Sequence, residues 1–228
     1  MSKRDLEDSR SDGTFTGSLD QETFRALLFN SFVHQQNRLR ANQREGRRLA
    51  AIAETRRAVA ETSDLRAALN LVAARAVEIT ASTGAAIATG AQEQMTCWAM
   101  SGPTAPPLGA PLPLGSGLSG ECLRGRRTLR CDDTASDPRV NREACDRLGG
   151  VGSMLLVPLC RGQQAIGILE VFSTRARAFD DSDEHAMELL GMIASEAAAT
   201  LAESKASARV SRSLPANAGL GTIPTSPA

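Results

Sequence analysis

The sequence is poor in most of the residues that announce a chemistry. It has no tyrosine, one tryptophan and two histidines in 228 residues, so a histidine-based metal cluster is excluded and no metal ligand set can be named. No phosphate-binding Gly-Lys motif and no Gly-x-Ser-x-Gly elbow occurs, which removes two large hydrolase classes. No run reaches eighteen apolar residues, and Met1 to Arg10 has no apolar segment behind its basic residues. Neither a membrane span nor a secretion signal is expected, and the reading is cytoplasmic. The cysteines (Cys97, Cys122, Cys131, Cys145, Cys160) are odd in number and form no C-x-x-C pair. Reduced thiols are the simplest account.

Net charge is missing as well: 26 basic residues balance 26 acidic ones. Nucleic acid needs a concentrated basic surface, so it is not an expected partner. The one dense run, Arg38, Arg40, Arg44, Arg47 and Arg48, is interrupted by Glu45 and reads as a solvated helix face.

What is present falls into four stretches. Residues 1–18 are polar and charged, with too little apolar surface to offset the entropy of ordering, and are expected to be a disordered tail. Residues 19–62 contain no proline and a single glycine. They predict one long helix, or two broken near Gly46, as a helical signalling and dimerisation segment. Its centre is almost wholly polar, so Phe24 to Phe32 at one end and Leu49, Ile52 and Val59 at the other need separate partners. The spacing of the second group suits pairing with another helix, such as one from a second copy. Residues 205–228 are expected to be a flexible tail, being rich in Pro, Gly, Ser and Ala after Val210.

Residues 63–204 carry the domain. Ser63 offers an N-cap to a helix with Leu65, Leu69, Val72, Ala76 and Ile79 at helical spacing, stopping before Gly84. Ala85 to Thr89 and Met95 to Met100 read as a β-hairpin. The segment GPTAPPLGAPLPLGSG predicts an irregular surface loop. A short helix (Leu118 to Arg124), a strand (Thr128 to Asp132) and a second short helix (Asn141 to Leu148) follow. Ser153 to Cys160 and Ala165 to Ser173 form another hairpin, turning at Arg161-Gly162-Gln163. A last helix is capped by Asp181 or Ser182. Its heptad-like stripe of Met187, Leu190, Ala194, Ala197 and Leu201 is expected to form a dimer interface.

Several local sequences then point one way. Gly117-Leu118-Ser119-Gly120-Glu121, Leu129-Arg130-Cys131-Asp132-Asp133-Thr134, Asp137-Pro138-Arg139, Leu148-Gly149, Ser153 to Leu159, and Ile166-Gly167-Ile168-Leu169-Glu170-Val171 stand in that order. This ordered set resembles the middle of bacterial GAF domains. The resemblance implies an α+β fold, an antiparallel sheet with flanking helices, here preceded by the long helical segment. It also implies a ligand pocket between the sheet and its short connecting helices, lined by Leu118, Cys122, Cys131, Asp132, Asp133, Val140, Cys145, Leu148 and Ser153. For Asp132 and Asp133, turn and cap chemistry competes with a ligand role.

The resemblance implies a sensory or signal-transduction protein that binds a small molecule, with no cofactor identified. Phe172 and Ser173 stand where cyclic-nucleotide-binding members carry Asn and Lys, although Phe179, Asp183 and Glu184 keep the rest of that pattern. Haem lacks a ligand, since His34 and His185 lie away from the pocket. Bilin attachment lacks the aromatic residues that accompany it. Two alternatives remain: a ligand-free dimerisation scaffold, and free methionine sulfoxide reductase, a thiol enzyme of the same fold. Ser119 stands where that enzyme's motif has cysteine. Nearby Asp132 and Asp133 would also raise the thiol pKa. The chain is therefore expected not to be an enzyme. No kinase, cyclase, phosphodiesterase or DNA-binding output segment is recognisable, so a signal is expected to leave through a signalling partner or the long helices of a homodimer.

Overall fold

The computed structural model describes residues 21–91, 94–112 and 117–213. These fall into two units divided between Gly46 and Arg47. The expectations for residues 1–18 and for 214–228 lie outside the described residues.

A helix with no break at Gly46, α1 (Gln21–Glu61), spans that division. Within the first unit its apolar residues Phe24, Leu27, Leu28 and Phe32 are all exposed. The second unit runs α2 (Leu65–Thr80), β1 (Gly84–Ala91), β2 (Gln94–Ser101), β3 (Pro111–Leu112), α3 (Gly117–Gly125), β4 (Leu129–Cys131), α4 (Arg142–Arg147), β5 (Ser153–Arg161), β6 (Gln164–Ser173) and α5 (Asp181–Ser213). Six strands form one sheet in the order β3-β2-β1-β6-β5-β4. Every neighbouring pair is antiparallel. Both predicted hairpins are present, and the β1–β6 pairing joins them into a single surface.

Local capping differs from expectation in instructive ways. Asp64, not Ser63, caps α2, its Oδ1 accepting the Arg66 N–H at 3.0 Å. A carboxylate is a stronger acceptor than a hydroxyl at this positive helix end. Asp180, not Asp181 or Ser182, caps α5: its Oδ1 accepts the N–H groups of Ser182 (2.9 Å) and Asp183 (3.0 Å). Asp183 Oδ2 accepts the Asp180 N–H at 3.0 Å, completing a reciprocal capping box. The Pro-rich loop is not wholly irregular, because Leu112 pairs with Met95 and Pro111 with Thr96 as a short edge strand. Proline is tolerated there because an edge strand need not donate on both sides. Helix α5 continues to Ser213, beyond the expected end near residue 204, through a stretch rich in good helix formers.

Gly84 does not serve as a helix-terminating turn. Ala81 takes that left-handed position, with φ 48°, and Gly84 opens β1. A Cβ on Gly84 would lie 2.5 Å from Thr104 Oγ1 and 2.8 Å from Ala105 N. Only glycine lets the 102–110 loop approach the strand this closely. Gly84→Ala is therefore expected to destabilise the domain by about 2 kcal/mol through overpacking, read as a lower urea midpoint.

One face of the sheet packs on the long helices. Ala85, Ile87, Leu155, Val157, Leu159, Leu169 and Val171 meet Leu69, Val72 and Ala76 of α2 and Met187, Leu190, Ala194 and Ala197 of α5 in one core. This corrects the expected dimer interface. Met187, Leu190 and Ala194 are fully covered by their own chain, because the three-four spacing that suits a coiled coil also suits packing on a sheet. The side chain of Leu201 lies outside the description. Ile52 and Val59 of α1 join the same core, so their partners are α2 and α5 in cis, while Leu49 stays exposed.

Candidate functional site

The opposite face of the sheet is covered by α3, α4 and their loops, and its chemistry follows from the period of two along each strand. With Leu169 and Val171 of β6 turned to the long helices, Ile168, Glu170 and Phe172 fall on the other side. Ala86 and Ala88 of β1 share that face. Glu170 lies between Ala86 on β1 and Leu156 on β5.

Glu170 is the unusual group. Only 4% of its surface is exposed, and Ser119 of α3 donates a hydrogen bond to its Oε1 at 2.5 Å. Burial pushes its carboxyl up to about 7, with the Ser119 hydrogen bond pulling the other way and no described cation contributing. A buried acid of this kind costs free energy wherever it is ionised.

The expected pocket residues divide into three groups. Leu118, Cys122 and Cys131 do meet on this face, with Met95, Leu123 and Leu129. Cys145 lies alongside with Phe172 and Cys97, Val140 and Leu148 packing against them. Asp132 and Asp133 are not part of it. Asp132 is exposed and reaches Arg130 at 3.3 Å, while Asp133 Oδ1 accepts the Ala135 N–H at 2.9 Å in a local turn. Asp133 thus bonds its own backbone, as turn chemistry requires, while Asp132 is held by an ion pair. Ser153 is on the wrong face. It shares register with Leu155 and Val157, and its Oγ donates to Arg175 O at 2.7 Å, fastening the connection to α5.

The 132–140 turn is tied to α3 by a different acid. Arg139 pairs with Asp137 at 2.7 Å and with Glu121 of α3 at 3.0 Å, and its hydrogen bond holds the Asp137 carboxyl down to about 2.

Burial raises every cysteine thiol of the domain above its ordinary value. Burial pushes Cys122 up to about 12, with the Glu170 charge adding to it. Cys131 rises to about 11, first from burial and then from Asp137, not from Asp132 or Asp133. Burial is also the first cause of the raised values at Cys97, Cys145 and Cys160. Glu170 and Cys97 were not among the sequence-derived candidates. The available signal was a single acid inside the apolar run Ile166 to Phe172.

The family model for the GAF domain matches residues 62–199. The chain belongs to the GAF family. Solved GAF-family folds superpose on it closely in architecture. The GAF domain of a phosphoenolpyruvate-protein phosphotransferase from Coxiella burnetii gives a TM-score of 0.65 at 18% identity, covering 71% of this chain and 98% of that one. Free methionine-R-sulfoxide reductase from Neisseria meningitidis, in complex with its substrate, gives 0.57 at 19% identity, covering 67% and 89%. Residues 122 to 287 of a methyl-accepting chemotaxis protein give 0.57 at 22% identity, covering 67% and 99%. At these identities the likeness establishes the GAF fold alone. A search of curated protein sequences returns no significant match. Among the described residues, no helix is long and apolar enough to cross a membrane, and no group of His, Cys, Asp and Glu could hold a metal ion.

Proposed function

We propose that this GAF domain is a sensory module that binds a small molecule on the sheet face beneath α3, at Glu170, and passes its state on through α1 and α5. The observation that carries this reading is Glu170 itself. An apolar residue between Ala86 and Leu156 would pack at no electrostatic cost, so an acid retained there, bonded to Ser119 of the covering helix, is explained by a ligand that donates hydrogen bonds to it. The site is closed as it stands, so ligand entry requires α3 to move. Such a movement is a natural source of signal.

The raised thiols and Ser119 weigh against a methionine sulfoxide reductase, whose chemistry needs an accessible thiolate. We therefore read the chain as a non-enzymatic module. With the α5 stripe used up in its own core, a second copy is the partner we assign to the exposed Phe24, Leu28 and Phe32, which recur every four residues on α1.

Native mass spectrometry of protein purified from its host tests the ligand. The wild-type chain should release one bound small molecule per site, and a folded Glu170→Leu variant should release none. A wild-type chain that is folded and empty would favour the scaffold reading. Thiol oxidation dependent on methionine sulfoxide would favour the enzyme.

A further inference from the structure

A second concavity lies at the other end of α3, where the helix meets the β5–β6 turn. Its volume is about 710 Å³, within the range of small-molecule sites. Its floor is apolar, made by Met95, Leu123 and Ala165. Its rim carries Arg124, Arg126 and Arg161, and none of the described residues lining it is acidic. In a chain whose charges balance overall, that is a pronounced local asymmetry.

The rim is built with some care for position. Arg126 follows the end of α3 with φ 49°, a left-handed conformation in which glycine would be at ease and arginine is strained. Its guanidinium donates to Gln163 O at 2.5 Å and to Gln163 Oε1 at 2.8 Å, which fixes the β5–β6 turn against the helix. Backbone strain held in place by such bonds is a recurrent mark of ligand sites. Arg124 and Arg161 make further polar interactions within the chain. Each guanidinium has five donors, so serving a neighbour does not exhaust it.

The geometry points to a binding site for a small organic anion, a carboxylate or a phosphate ester with an apolar body, lying on Met95, Leu123 and Ala165 with its charge toward Arg124 and Arg161. Planar guanidinium groups suit both head groups because they can donate two parallel hydrogen bonds. Glu170 does not line this site.

Benzoate is a suitable probe, added to the full chain while the Met95 methyl signal is followed by NMR and assigned with Met95→Leu. A saturable shift in the millimolar range is expected, with neutral benzamide at least tenfold weaker. The double variant Arg124→Gln/Arg161→Gln should weaken benzoate at least tenfold. Should that variant fail to unfold cooperatively, Arg161→Gln alone reads the same quantity. Glu170→Gln should bind benzoate as the wild type does, which separates this site from the ligand reading above. Displacement of benzoate by inorganic phosphate would assign the site to phosphate esters, and its absence to carboxylates. No saturable shift, equal binding of benzamide, or indifference to the arginine substitutions would overturn the proposal.

Discussion

Leu190→Arg is expected to leave no folded domain. Leu190 is fully buried against the sheet and α2, so the substitution forfeits about 2–3 kcal/mol of apolar burial. It also places an unpaired charge in the core, at a cost of several kcal/mol more. The sum approaches the whole stability of a typical domain, about 5–15 kcal/mol. Leu190→Ala keeps the charge out and should cost about 2–5 kcal/mol, read by urea denaturation. Met192, two residues on and 55% exposed, supplies the control: Met192→Arg should change stability by less than about 0.5 kcal/mol. A Leu190→Arg chain that stays folded and merely changes its oligomeric state by light scattering would return the stripe to an interface between copies.

The second large effect is a pH dependence centred on Glu170. Its folded value, about 7, lies above the ordinary glutamate value of 4.5. The folded state therefore holds a proton that the unfolded state has released. Stability from this group is fully present below about pH 4.5 and is lost as pH rises through 7. With the linkage relation, the loss between pH 5 and 8 is about 2.5 kcal/mol. Glu170→Gln keeps an oxygen for Ser119 and cannot ionise, so its stability profile should lack this slope. Parallel profiles for wild type and Glu170→Gln would show that Glu170 does not titrate in this range. A ligand that neutralises the carboxylate should flatten the wild-type slope, so the same measurement reports on occupancy.

These two residues show different degrees of legibility. The Leu190 stripe is plain in the sequence as a helical period, and its burial follows. Its partner does not, because a three-four spacing presents the same apolar face to a second helix or to a sheet. For Glu170 the strand period predicts that it faces away from Leu169 and Val171. Whether that other face meets water or α3 depends on residues more than forty positions earlier in the chain, and Ser119 is one of them. Asp132 and Asp133 illustrate the reverse case. The turn chemistry of Asp133 and the Arg130 pair of Asp132 are local, whereas the resemblance alone placed both in a pocket. Ser153 fails for a simpler reason: one step of strand register puts a side chain on the opposite face.

The sequence by itself determined both hairpins and the α+β class, because each depends on local periodicity and turn residues. The tertiary structure alone decided which apolar stripe is covered in cis, which caps close the helices, that Glu170 is buried under Ser119, and that three arginines gather at one end of α3. Those properties depend on contacts between distant segments, and burial is what gives a carboxylate or a thiol its altered chemistry.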